Sequence, residues 1–225
     1  MARAKRLNKA AATHTDDMRA KILAEALPHV AFDGWCDKTL REAAERVGAS
    51  DAELKAAFPR GASDAIVAFS DDADRAAAKA IKAADLKAMK VRERVTFGVR
   101  SRIEAVMEHK EAARRAAAVL ALPQNALDGA TCVYRSVDNI WRSIGDTSAD
   151  FNFYTKRALL AGVYTSTMLY WFADASEDAE DTWKFLDDRI ANVMQIEKVK
   201  AQVFKFAESL PNPLTILGAL RHPRR

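Results

Sequence analysis

Asn152-Phe153-Tyr154-Thr155-Lys156-Arg157-Ala158-Leu159-Leu160-Ala161-Gly162-Val163-Tyr164-Thr165-Ser166-Thr167-Met168-Leu169-Tyr170-Trp171 is the stretch on which the fold turns. Phe153, Leu160, Tyr164, Met168 and Trp171 recur at spacings of three, four and seven, so they share one stripe of a helix. Ala158, Ala161, Gly162 and Thr165 fall on the opposite side and are small. No charge occurs from Ala158 to Ala173, which predicts a central helix, apolar nearly all round and buried. The run falls short of the ~20 apolar residues of a bilayer span and contains Thr165, Ser166 and Thr167, so it is not read as transmembrane.

Working outward, a polar connector at Gly145 to Asp150 precedes this helix. A last helix follows from about Asp178 past Met194, with Trp183, Leu186 and Ile190 as its apolar stripe. Upstream, Val133, Val137, Ile140, Trp141 and Ile144 mark a helix over 126–144, with Asp138 expected to be exposed. Pro123 separates it from a helix at 111–120. A helix near 91–108 carries Val95, Val99, Ile103, Val106 and Met107 on one face, with Arg92, Arg94, Arg100 and Arg102 off it. Four further helices are expected at 16–32, 39–47, 51–58 and from Ser63 to about Ala84. Thr39 with Glu42, Ser50 and Ser63 are the expected N-caps. Few Gly and Pro, abundant Ala, 49% hydrophobic content and no period-two alternation make the chain all-α.

Ala44, Gly48 and Leu54 have the spacing of a helix-turn-helix, which opens a DNA-binding reading as in TetR-type repressors. Charge argues against it. Residues 33–62 hold five Lys/Arg against six Asp/Glu, and the second helix begins with Asp51 and Glu53, where phosphates would have to sit. DNA is therefore not expected as a partner, and a ligand-responsive transcription regulator is kept as the alternative function.

Cys36 and Cys132 are far apart and read as lone thiols rather than a disulfide framework. None of His14, His29, His109 and His222 follows a carboxylate by three residues, so the Glu-x-x-His pairs of di-iron bundles are missing. His-Glu-x-x-His, paired Cys-x-x-Cys, phosphate-binding Gly loops and Gly-x-Ser-x-Gly are missing too. The expectation is a non-enzymatic protein without metal or cofactor. The net charge is +4, with basic residues concentrated at Met1 to Lys9, across 79–115 and at Arg221, Arg224 and Arg225, which suits an anionic membrane surface. No secretory apolar segment follows the basic start, so a cytoplasmic location is expected.

Several separated motifs carry a family resemblance. Asp150-Phe151-Asn152-Phe153-Tyr154-Thr155-Lys156-Arg157-Ala158, Leu160-Ala161-Gly162-Val163-Tyr164 and Asp181-Thr182-Trp183-Lys184-Phe185-Leu186 stand in order with Phe58-Pro59-Arg60-Gly61 and Leu120-Ala121-Leu122-Pro123-Gln124-Asn125. From about Met18 to Ile196 the chain resembles a bacterial-type member of the ninth coenzyme Q biosynthesis protein family. That resemblance implies a TetR-like helical bundle and a lipid-binding accessory role in ubiquinone synthesis. It implies binding of an isoprenoid quinone intermediate or phospholipid and its presentation to the demethoxyubiquinone hydroxylase. The organisation expected is a basic disordered segment (1–15), a helix-turn-helix-like unit (16–62), a C-terminal lipid-binding bundle (63–210) and a basic apolar tail (211–225) that contacts membrane. The family's C-terminal amphipathic helix is longer than this tail, which Pro211 and Pro213 interrupt.

The lipid is expected to meet Phe97, Val133, Val137, Trp141, Phe153, Leu160, Tyr164, Met168 and Trp171, since aliphatic and aromatic walls suit an isoprenoid guest. Carried over from the family, the partner patch comprises Asp138, Ile140, Ile144, Asp150, Tyr154 and Arg157. Phe153 stands where the family usually has Trp, losing an indole N–H donor. TetR-like chains pair through their last two helices, so a homodimer is expected. The implied location is peripheral to the inner membrane, on the matrix side in a mitochondrion.

Overall fold

The computed structural model describes the backbone of residues 2–147 and 151–209, and side chains at 13–147 and 153–195. Among the described residues there are nine α-helices and no strand. In chain order they are α1 (Ala2–Asp33), α2 (Asp37–Arg46), α3 (Asp51–Ala57), α4 (Ala62–Ala83), α5 (Val91–Glu104), α6 (Lys110–Leu120), α7 (Ala126–Ser143), α8 (Phe151–Ala173) and α9 (Glu180–Ser209).

The first three helices pack on one another, and α4 joins them to the larger bundle by lying against α5 and α7. Ile22, Ala26, Val30, Leu40, Ala43 and Phe58 close the small core. Trp35, from the turn after α1, spans the two parts: its indole N–H donates to the Ala112 carbonyl of α6 at 2.9 Å, and its ring lies 5.6 Å from Phe69 of α4. The larger core gathers Val99, Ile103, Val137, Ile140, Trp171 and Leu186, each at most 1% exposed. These are the stripe residues of α5, α7, α8 and α9, and removing them from water is the main favourable contribution to folding.

Several local expectations are corrected. The segment 1–15, expected to be disordered, is helical from Ala2 because its Ala-, Lys- and Arg-rich composition continues α1 without a breaker. Thr39 does not cap α2: the helix starts two residues earlier behind Cys36, and the Thr39 hydroxyl donates to the Gly34 carbonyl at 3.0 Å. Ser63 does not cap α4 either. Gly61 holds that position at φ 63°, while Asp64 and Asp37 accept from the backbone N–H groups of Arg60 and Ala62 at 2.7 and 3.1 Å. Only glycine fits there, since a Cβ on residue 61 would lie 2.2 Å from Asp37 Oδ1. Ser50 does cap α3, with Glu53 completing the capping box.

The central helix is not buried all round. Trp171, Tyr164 and Leu160 face inward, but Ala158, Gly162, Thr165 and Leu169 lie on an open side, with Leu169 61% exposed. No described element covers these small residues.

Candidate functional site

The small side chains of α6 create the main cavity. Ala113, Ala116, Ala117 and Ala121 face Val133 and Cys132 of α7 and Tyr164, Met168 and Phe172 of α8, leaving a space of about 370 Å³ between them. Ile66 and Phe69 of α4 and Val106 close its floor, whereas the exposed Ala121, Thr165 and Leu169 edge its mouth. The volume lies at the lower end of the range for ligand-binding cavities, and the wall is almost wholly hydrocarbon.

One polar cluster breaks that wall. Arg102, expected off the apolar face of α5, is instead 4% exposed and lines the cavity. Its Nε donates to Asp74 Oδ1 at 2.5 Å and its Nη2 to Ser70 Oγ at 3.1 Å. Ser136 adds a second hydrogen bond to the same Asp74 oxygen at 2.7 Å, and Asn139 donates to the Asp74 carbonyl at 2.6 Å. Burial pushes the Asp74 carboxyl up from its ordinary value, opposed by the adjoining guanidinium and the Ser136 hydroxyl. Burial likewise raises the Tyr164 hydroxyl and the Cys132 thiol, holding both neutral. A buried charge survives here because it is paired and hydrogen-bonded.

A second, smaller apolar space of about 240 Å³ lies between α5, α7, α8 and α9. Val95, Trp141, Leu160, Val163, Ile190 and Val193 line it.

The residues expected to meet lipid are therefore divided. Val133, Tyr164 and Met168 line the larger cavity, and Trp141 and Leu160 the smaller one. Val137 and Trp171 are packed solidly at 1% exposure. Phe97 is half-buried against the core, away from both spaces. Phe153 lies under the Arg157 guanidinium, whose carbon is 3.4 Å from the ring centroid. The stripe of α8 crosses several neighbours in turn, so shared spacing did not mean a shared cavity. Sequence reasoning missed Arg102 and Asp74, as well as the α6 alanines, whose signal was the run Ala116-Ala117-Ala118 opposite large residues.

The partner patch is reordered too. Ile140 and Ile144 are buried at 0% and 5%. Arg157, carried over as part of the patch, is only 5% exposed and donates to Asp138 Oδ1 at 2.8 Å and to Asp146 Oδ2 at 3.4 Å. Asp138, also expected to be exposed, keeps only 15% of its side chain in solvent because Arg142 and Arg157 flank it. Tyr154 alone of the described members stands out, at 71% exposure. Asp150 and the tail 211–225 lie outside the described residues.

The helix-turn-helix geometry is present, yet α3 offers little to a phosphate backbone. Lys55 turns its ammonium onto the Pro59 carbonyl at 2.7 Å, and Glu53 accepts from His14 at 2.9 Å. Among the described residues, no group of three or more His, Cys, Asp and Glu could hold a metal ion, and no helix is long and apolar enough to cross a membrane.

Residues 126–197, from α7 into α9, match the COQ9 family. The chain is 32% identical to "Ubiquinone biosynthesis protein COQ9, mitochondrial" of Rattus norvegicus over 202 residues, 87% of this chain and 64% of the rat protein. It is 30% identical to the protein of the same name from Homo sapiens, over 87% of this chain and 63% of that protein. The chain thus spans somewhat under two thirds of these relatives' length. Among solved structures, a TetR transcriptional regulator from Nitrosomonas europaea superposes with a TM-score of 0.64 at 21% identity, covering 78% of this chain and 97% of that one. At that identity the likeness establishes the TetR-like fold alone.

Proposed function

From the premise that this is a COQ9-like chain, carrying the family's region at 126–197, we propose that it serves ubiquinone biosynthesis as a non-catalytic lipid-binding accessory protein. The cavity between α4, α6, α7 and α8 takes the apolar part of an isoprenoid quinone intermediate. The protein then presents that intermediate to the demethoxyubiquinone hydroxylase at the surface around Tyr154. It works at the face of a membrane, within the mitochondrion that the relatives' names give.

One observation carries this reading: a cavity of about 370 Å³ whose wall is hydrocarbon apart from one buried polar cluster. Each methylene taken from water into such a space gains about 0.8 kcal/mol. A guest with a long apolar chain is therefore held without any covalent step. The mouth opens along the uncovered side of α8, where a second protein can reach what protrudes.

Lipid mass spectrometry of the purified full chain tests the reading. Isoprenoid quinone species should co-purify with the native protein and be lost from Ala117→Phe, which grows into the cavity from a half-buried position. Equal lipid content in both would overturn it.

The alternative, a ligand-responsive transcription regulator, draws on the TetR-like fold. It requires an electrophoretic shift of promoter DNA with a steep salt dependence. The acidic start of α3 and the self-satisfied Lys55 favour the accessory role.

A further inference from the structure

From Lys79 to Arg94, around the turn that joins α4 to α5, six Lys/Arg stand against two Asp/Glu. Both carboxylates are held by backbone. Asp85 accepts from the Lys87 N–H at 3.2 Å, and Glu93 from the Lys90 N–H at 2.7 Å. Lys79, Lys82, Lys87, Lys90 and Arg92 are all exposed, and none forms an ion pair with a described residue. Exposed arginines elsewhere do: Arg60 pairs with Asp64 and Asp128, Arg100 with Glu104, and Arg114 with Glu111. Positive charge that the chain itself leaves unanswered in one place fits a partner of opposite sign.

Apolar tips stand among these cations. Val91 is 63% exposed and Met194 of α9 is 44% exposed, and both line the smaller cavity together with Arg92. The phosphates of a duplex offer nothing to such tips. The interface of an anionic bilayer takes in both kinds of group, the cations at its head groups and the apolar tips at the acyl boundary. Lysine suits that surface, because a point charge on a flexible stem needs no fixed acceptor geometry.

We propose that the α4–α5 turn is a membrane-docking surface, on which Lys79, Lys82, Lys87, Lys90 and Arg92 engage anionic phospholipid head groups around an apolar wedge of Val91 and Met194. The inference deepens the proposed function by naming the face that meets the bilayer and the lipid class it meets, and it does not depend on what the larger cavity carries. Thr155 and Lys156 line the same small cavity as Val91, so a docked turn brings the adjoining Tyr154 to the membrane.

Flotation of the full chain tests this, with vesicles of phosphatidylcholine alone and of an equal mixture of phosphatidylcholine and phosphatidylglycerol. The native chain should float with the mixed vesicles and not with phosphatidylcholine alone, and added salt should release it. A Lys or Arg near an anionic surface gains about fivefold in affinity, so Lys87→Gln with Lys90→Gln should weaken binding about 25-fold. Lys21→Gln with Arg41→Gln removes the same charge from the exposed surface of the three-helix unit and should change binding by less than about twofold. Val91→Ser should weaken it about threefold with no change of charge.

Equal weakening by the two double variants would show that net charge, not this turn, draws the chain to the bilayer, and would overturn the inference. So would undiminished flotation of Lys87→Gln with Lys90→Gln, or an affinity for duplex DNA that falls in that variant while flotation does not. These outcomes leave the membrane part of the proposed function standing, whereas a native chain that floats with neither vesicle removes both. Isoprenoid quinone retained by a Lys87→Gln, Lys90→Gln chain that no longer floats would support docking as a task separate from holding the cargo.

Discussion

Arg157 Nη2 lies 2.8 Å from Asp138 Oδ1, and this contact makes the corner between α7 and α8 a joint rather than a surface. Asp146, from the connector, approaches the same guanidinium, and Lys156 reaches Asp146 at 2.9 Å. Arg157→Met would take the buried guanidinium from both carboxylates and leave Asp138 to Arg142 and Asp146 to Lys156. We expect a loss of about 2 kcal/mol in urea unfolding. Adding Asp138→Asn should recover part of that loss, because it removes a charge that has lost one of its two cations.

Tyr154 offers the contrasting case. Its side chain is 71% exposed, so Tyr154→Ala should change stability by no more than about 0.5 kcal/mol. On the proposed function it should weaken capture of the hydroxylase about tenfold, as loss of an aromatic anchor does. Undiminished capture, measured by surface plasmon resonance, would move the partner surface elsewhere.

Gly98 sets the spacing between α5 and α7. A Cβ there would lie 2.6 Å from Ile140 Cγ2, so Gly98→Ala should destabilise the chain by about 1–3 kcal/mol despite alanine's better helix propensity. Combining it with Ile140→Ala, which vacates the contested space, should cost less than the two single changes summed. A strictly additive double mutant would show that the close approach carries no strain.

Acid should lower the protein's stability in a defined window. Hydrogen bonds from the Ser50 hydroxyl, the Ser50 N–H and His14 hold the Glu53 carboxyl down at about 2, and Arg114 holds Glu111 at about 2. Asp174 is depressed as well: desolvation opposes the shift, but Thr182 and Ser176 outweigh it with hydrogen bonds. Depressed carboxyl values contribute stability that is complete above the ordinary value of 4.5 and lost as pH falls towards 2. Thermal melts from pH 6 to pH 2 should be flat at first and then decline. Ser50→Ala should reduce the decline and, at neutral pH, remove about 1 kcal/mol of helix capping.

What could be read in the sequence followed from periodicity. The stripes of α5, α7, α8 and α9 needed only spacing to be recognised, and they are the core. The cap at Thr39 failed because α2 starts two residues earlier, which frees the Thr39 hydroxyl for the Gly34 carbonyl. The cap at Ser63 failed because Asp64 and the distant Asp37 take the backbone N–H groups there, a partnership that spacing does not register. Arg102 and Asp74 were missed for a related reason. Each looks like a surface residue alone, and only the packing of α4 against α5 pairs them 28 positions apart. Spacing located the residues around the cavity more easily than the void itself, which exists because the alanines of α6 decline to fill it.

Thr165 and Leu169 belong at once to the rim of that void and to the bare flank of α8. Any macromolecule that settles on the flank therefore shuts the doorway. On the proposed function, cargo and companion are coupled through that one threshold, each altering the other's affinity by an equal factor. A laden chain would then present a different landing ground from a vacant one.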